Sequence, residues 1–157
     1  HSTFIYQLID VVKHYQLEHD LMLEVTEERF LGGFENIRDH IKLLRNNGIE
    51  MAIDDFGMGQ TSIDYLRENN FHYVKLDGSL VRQVGNPRCA EIIASIVELG
   101  KNLDFQVVAE YVENEQIFCE TRALGCCYFQ GYLYSPAIPL EAFVGYCQRV
   151  AADIEPQ

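Results

Sequence analysis

The feature that most constrains this fold is a recurring pair: a short apolar run followed, at or near its carboxyl end, by a charged or amide residue. Runs over 21–25, 51–53, 73–76, 105–109 and 128–133 carry Glu24, Asp54 with Asp55, Lys75 with Asp77, Glu110 and Gln130 at or near those ends. The four intervals from Glu24 to Gln130 average about 26 residues, the length of a strand with its crossover helix. Between the runs, helical segments are expected over 4–15, 34–45, 62–68, 89–101, 114–124 and 140–152. Asn47 and Gly48 close the second of these. Five strands alternating with helices predict an α/β fold with a parallel sheet. Runs without strict polar alternation predict strands buried on both faces.

Two architectures fit that pattern, an open doubly wound sheet and an arc of a β/α barrel. At 157 residues, with 48% apolar and 23% charged residues, the chain has the size and composition of one ordered domain. Twelve basic residues against 24 acidic ones leave a formal charge of −12, which argues against a partner that is a DNA or RNA polymer bound through its phosphates. Five cysteines without paired spacing argue against a disulfide framework or a structural zinc site. The five histidines are scattered and form no zinc motif. No run approaches the roughly 18 apolar residues of a membrane span, so no membrane contact is expected within this segment. A cytoplasmic location is expected, including as the cytoplasmic domain of a larger, membrane-anchored protein.

Both architectures gather the carboxyl ends of the strands at one edge. A single acid there is commonly a helix cap, but acids or lysine at four of five strand ends predict a site. Glu24, Asp54, Asp55 and Glu110 form an all-oxygen set that repels itself unless cations intervene, and Mg2+ or Mn2+ suits such donors. Two ions of this kind activate water and stabilise the leaving oxygen of a phosphodiester, which lets an acidic protein handle an anionic substrate. Lys75 either orients the water and the phosphoryl oxygens or forms a structural ion pair with these acids, and the sequence leaves both open. In Asp54-Asp55-Phe56-Gly57-Met58-Gly59, the two glycines permit positive φ or close ligand approach. Asp55 as a cap of the next helix, with Phe56 as ordinary core, is the alternative reading of the same segment. A protein kinase is excluded, because neither a Gly-rich loop with a strand lysine nor a catalytic loop accompanies the Asp-Phe-Gly.

Five motifs in order, Leu23-Glu24-Val25-Thr26-Glu27, Ile53-Asp54-Asp55-Phe56-Gly57-Met58-Gly59, Val74-Lys75-Leu76-Asp77, Val108-Ala109-Glu110-Tyr111-Val112-Glu113 and Phe129-Gln130-Gly131-Tyr132, resemble the EAL-domain cyclic di-GMP phosphodiesterases. The resemblance runs from about Phe4 to Val150. It implies a partial TIM-type (β/α) barrel of about five βα units. The implied activity is hydrolysis of cyclic di-GMP to linear pGpG with two Mg2+ or Mn2+ ions, in bacterial second-messenger signal transduction. It further implies that Glu24 binds the first metal, that Asp54 bridges both, and that Asp55 and Glu110 serve the second. Lys75 would contact the attacking water, so that Lys75, Glu110, Asp54 and Asp55 form the catalytic set. Gln130 would lie at the substrate pocket, Glu27 would hold the loop after the Asp pair together with Gly57 and Gly59, and Glu113 would support the site from behind.

The sequence departs from that pattern at Met58 and Gln60 in the loop, and at Tyr111, where a glycine is usual. The Glu-x-Leu strand and the Asn-bearing strand that complete the first metal site have no match, so residues 1–157 are expected to be the C-terminal portion of the domain, with weak or no activity alone. A homodimer or strand-paired oligomer is expected, since strands at either end of a barrel arc lack a neighbour and nothing in 21–25 discourages pairing. An EAL-like module that binds cyclic di-GMP or a protein partner without catalysis is the alternative. A receiver-like doubly wound domain is a third reading, which leaves Glu110, Glu113 and Gln130 without a role.

Overall fold

In a computed structural model, which describes residues 2–26, 37–57, 66 and 71–154, the chain forms one sheet with helices packed on one of its faces. Helix α1 (Ser2–Tyr15) precedes β1 (Met22–Thr26), and α2 (Ile37–Arg45) leads into β2 (Glu50–Phe56). Strand β3 (Tyr73–Leu76) is followed by a one-turn helix α3 (Gly78–Val81) and the long α4 (Pro87–Leu103). Then come β4 (Gln106–Ala109), α5 (Glu115–Ala123), the two-residue β5 (Tyr128–Phe129) and α6 (Leu140–Ile154).

The strands lie in the order β1-β2-β3-β4-β5 and all pair in parallel. Sequential order has a definite consequence. Right-handed crossovers between neighbouring strands put every connecting helix on the same face, which is how a barrel wall is built, whereas a doubly wound sheet must reverse direction at a switch point. The arrangement is a barrel arc, and the receiver-like reading is excluded.

Burial on both faces holds in the three central strands, where Met51 to Ile53, Val74 to Leu76 and Val107 to Ala109 are buried in succession, and fails in β1, whose residues are half-buried or exposed. One face carries Val25, Met51, Ile53, Val74, Leu76, Val107 and Ala109, which belong to the apolar cluster shared with Ile9 and Val12 of α1, Ile41 and Leu44 of α2, and Ile93 and Val97 of α4. The opposite face carries Glu24, Ala52, Asp54, Tyr73, Lys75, Gln106 and Val108, with Tyr73 and Tyr128 in edge contact at 5.3 Å between ring centroids. Strand side chains alternate, and in parallel register each row of partners points the same way, so one face became the core and the other the inside of the arc.

Boundaries follow local chemistry. Asn86 caps α4 by accepting from the Arg88 N–H at 2.9 Å with Pro87 in the first turn, and Asn114 caps α5 by accepting from the Ile117 N–H at 2.9 Å. The run over 128–133 is strand only at its first two residues, because Gly131 turns the chain there. Helix α3 was not foreseen. Asp77 caps it by accepting from the Ser79 N–H at 2.7 Å, so this strand-end acid serves as a helix cap. The expected helix over 62–68 is described only at Leu66, which is helical; Glu27, Gly59, Met58 and Gln60 lie outside the described residues, as does the start of the helix expected over 34–45.

Candidate metal centre

The register explains how residues on four strands meet. Thr26 pairs with Asp54, Ile53 with Val74, and Lys75 with Val108, so Asp54 and Lys75 share a row. Glu24 and Glu110 fall two positions before and after that row on their own strands, which keeps all four on the same face. The Lys75 ammonium lies 2.9 Å from Glu24 Oε1, 3.0 Å from Asp54 Oδ1 and 2.8 Å from Glu110 Oε1.

Two consecutive aspartates in a regular strand would point to opposite faces. Here they do not, because β2 carries a bulge. Ile53 pairs with Val74 and Phe56 with Leu76, so three steps along β2 match two along β3. Asp55 takes a left-handed conformation with φ 57°, which Asp tolerates better than most residues, and Gly57 follows with φ 105°. The bulge swings Asp55 back toward its neighbour. One carboxylate oxygen each from Asp54, Asp55 and Glu110 then lies within 4.8 Å of the others. Glu24 lies outside this trio, lines the same cavity and contacts Lys75.

The electrostatics follow from the same geometry. Lys75 is buried, which alone would favour its neutral form, yet the carboxylates of Glu110, Glu24 and Asp54 around it hold its pKa above the usual lysine value. Burial raises the Glu110 carboxyl despite the Lys75 contact, with repulsion from Asp54 and Asp55 adding to the effect. Asp55 is raised by desolvation and then by Asp54 and Asp77. One lysine is too little positive charge for four acids.

The residues present fit a divalent cation. The donor set is all oxygen, three of its atoms are already grouped, and Asp54 Oδ1 is shut from solvent without a hydrogen-bond donor. Its close positive neighbour is the Lys75 ammonium at 3.0 Å, which it shares with Glu24 and Glu110. An unsatisfied buried carboxylate oxygen beside two further carboxylates is a ligand position in want of a cation.

The trio opens into a cavity of about 540 Å³ lined also by Tyr111, Glu113, Gln130, Gly131 and Tyr132. Gln130 follows β5 directly and is exposed at the cavity wall, and Glu113 is exposed on its lining. Sequence reasoning overlooked Gly131. The Gln130 N–H donates to the Ala109 carbonyl at 2.9 Å, the Val112 N–H to the Gln130 carbonyl at 3.1 Å, and the Leu133 N–H to the Val112 carbonyl at 3.0 Å. These bonds draw the two loops so close that a Cβ on Gly131 would overlap the Val112 backbone. The signal was present in the Gln130-Gly131 pair, but the neighbour it must clear is 19 residues away in sequence.

A family profile described as EAL domain matches residues 1–137. The chain is 38% identical over 141 residues to the cyclic di-GMP phosphodiesterase PdeF of Escherichia coli K12, covering 88% of this chain and 19% of that protein. Among solved structures, the EAL enzyme Bd1971 in its cGMP-bound form superposes with a TM-score of 0.86 at 29% identity, over 94% of this chain and 40% of that one. Klebsiella pneumoniae BlrP1, solved with manganese and cyclic di-GMP, superposes with a TM-score of 0.79 at 33% identity, over 87% of this chain and 35% of that one. The chain thus spans about a fifth of the length of that curated relative and well under half of those solved chains.

Proposed function

The chain belongs to the EAL domain family, and on that premise we propose that residues 1–157 form the C-terminal portion of a metal-dependent cyclic di-GMP phosphodiesterase that releases linear pGpG. The observation that carries this reading is the Asp54, Asp55 and Glu110 trio facing a cavity, with an unsatisfied Asp54 oxygen and Lys75 beside it. Asp54, Asp55 and Glu110 would hold one Mg2+ or Mn2+, and Glu24 with Asp54 would contribute to a second. When bound, such ions supply Lewis-acid activation of water and neutralise the phosphodiester.

In the reaction, the water oxygen forms a bond to phosphorus, the P–O3′ bond breaks, and the 3′ oxygen takes up a proton. Lys75 has three N–H donors facing three carboxylates. It can orient water only after one of these contacts opens. Gln130 and Glu113, both on the cavity wall, position the dinucleotide and brace the Glu110 loop. Glu27, Gly57 and Gly59 serve the loop after the Asp pair. We assign the domain to the cytoplasm on the proposed second-messenger substrate; among the described residues no helix is long and apolar enough to cross a membrane.

The test is direct. The full-length protein, incubated with cyclic di-GMP and Mg2+ or Mn2+, should form pGpG, and residues 1–157 alone should form little or none. Absence of turnover with either ion in a folded, full-length sample overturns the enzymatic reading. The alternative is a module that binds cyclic di-GMP without cleaving it; calorimetry in Ca2+ distinguishes binding from turnover. We also assign a homodimer or strand-paired oligomer, since β1 and β5 are the outer strands of the described sheet. Light scattering that gives a monomer removes this assignment.

A further inference from the structure

Tyr111 is the residue next to Glu110, and its backbone is left-handed, with φ 52°. For an aromatic residue that conformation is strained, so the contacts around the ring must hold it there. They come from α3. Gly78 is buried against the Cγ–Cδ2–Cε2 side of the ring, and a Cβ at that position would overlap it. One helical turn further, the Arg82 guanidinium carbon lies 4.7 Å from the ring centroid, in cation–π range. Gly78 and Arg82 thus form a seat shaped for this tyrosine.

The seat leaves much of the ring uncovered. Tyr111 is 48% exposed, and it lines the same cavity as Asp54, Asp55, Glu110 and Gln130. Tyr111 and the adjacent Glu110 line that cavity together, so the ring and a carboxylate of the metal trio face the same space. A flat, supported aromatic surface beside a site for phosphate chemistry suits a ligand with a planar base joined to a phosphodiester. Stacking on such a ring tolerates any base, and a purine offers the larger face.

We propose that Tyr111, seated on Gly78 and Arg82, is a stacking platform for one purine base of the substrate and sets its affinity. The inference rests on the phosphodiesterase reading and adds to it a substrate contact outside the carboxylate set. The left-handed backbone at position 111 makes glycine the least disruptive replacement, so Tyr111→Gly removes the ring while relieving strain.

In the full-length protein with Mn2+, Tyr111→Gly should raise KM for cyclic di-GMP by about fivefold to a hundredfold, the range expected for one base–aromatic stack. Its kcat should stay within about threefold and its Mn2+ half-saturation should not move, whereas damage to the metal site would shift both. Tyr111→Phe should match the wild type. An unchanged or lower KM in Tyr111→Gly overturns the platform, and so does an equal loss in Tyr111→Phe, which would assign the effect to the hydroxyl. If the wild type gives no turnover, the phosphodiesterase reading falls separately. Calorimetry of cyclic di-GMP in Ca2+ then decides the platform: weaker binding by Tyr111→Gly supports it, and equal binding or none by both proteins overturns it.

Discussion

Ile53 and Asp54 are consecutive residues of β2, yet they belong to different halves of the molecule. Ile53 is 1% exposed in the core between sheet and helices, with its apolar surface satisfied by packing alone. Asp54 faces the inside of the arc, where one lysine serves four acids and one of its own oxygens has no donor. The two faces show that a single alternating strand divides its labour by side-chain direction: the helix-covered face supplies stability, and the open face accumulates polar groups whose demands are unmet without a ligand. If that division holds, neighbouring substitutions should give opposite readouts.

The largest separation is expected from Asp54→Asn. Turnover of cyclic di-GMP by the full-length protein should fall at least about 100- to 1,000-fold, the scale on which removing one electrostatic contributor acts. Stability should change by less than about 1 kcal/mol, since Lys75 keeps Glu24 and Glu110. Steady-state assay and urea unfolding check the two halves of the statement, and near-normal turnover would place the chemistry elsewhere. Ile53→Ala should do the reverse. A cavity under the helices should cost about 2–5 kcal/mol in denaturant unfolding while activity per folded molecule survives. A stability loss under 1 kcal/mol would mean that the sheet is not the core.

Gly131→Ala sharpens the comparison because it touches both halves. Its Cβ would meet the Val112 backbone, and Val112 is fully buried while its neighbours line the cavity. We expect about 1–3 kcal/mol of destabilisation together with a raised KM, as the Gln130 loop is pushed from the Glu110 loop. A stable variant with unchanged KM would separate the loops from the site.

The smallest effect lies at the opposite end of the sheet. His72 Nδ1 accepts from the Met51 N–H at 3.1 Å, which requires a neutral acceptor nitrogen, and burial with nearby Arg45 lowers its pKa. The folded state therefore binds this proton less readily than the unfolded chain. Its contribution is complete above the unfolded value of about 6.5 and is lost as pH falls through the lower folded value. Urea midpoints between about pH 5 and 7 should rise with pH, and His72→Gln should flatten that part of the slope. Identical slopes would remove His72 from the account.

Legibility in the sequence followed the range of the interaction. The strand over 73–76 was read to the residue, and the helices over 89–101, 114–124 and 140–152 to within a few residues, because periodicity and caps such as Asn114 act over one or two turns. The residues that gather at the carbonyl edge, Glu24, Asp54, Asp55, Lys75 and Glu110, were legible for a similar reason: strand ends in parallel units fall on one side. Burial was legible for the three central strands and misread for β1, because an apolar run does not record whether a strand has a neighbour on each side.

What the amino-acid order determined by itself was the alternation of strand and helix, the chemical identity of the acidic set, and the glycines that punctuate it. Tertiary structure alone decided the sequential strand order, the bulge that turns Asp55 back toward Asp54, the three-way contact of Lys75, and the seat of Tyr111 on a helix unforeseen in the sequence. Each of the latter joins groups from separate elements. Caps and periodicity depend on neighbours a few residues away, whereas the direction and company of these side chains are fixed only when the register between strands has been set.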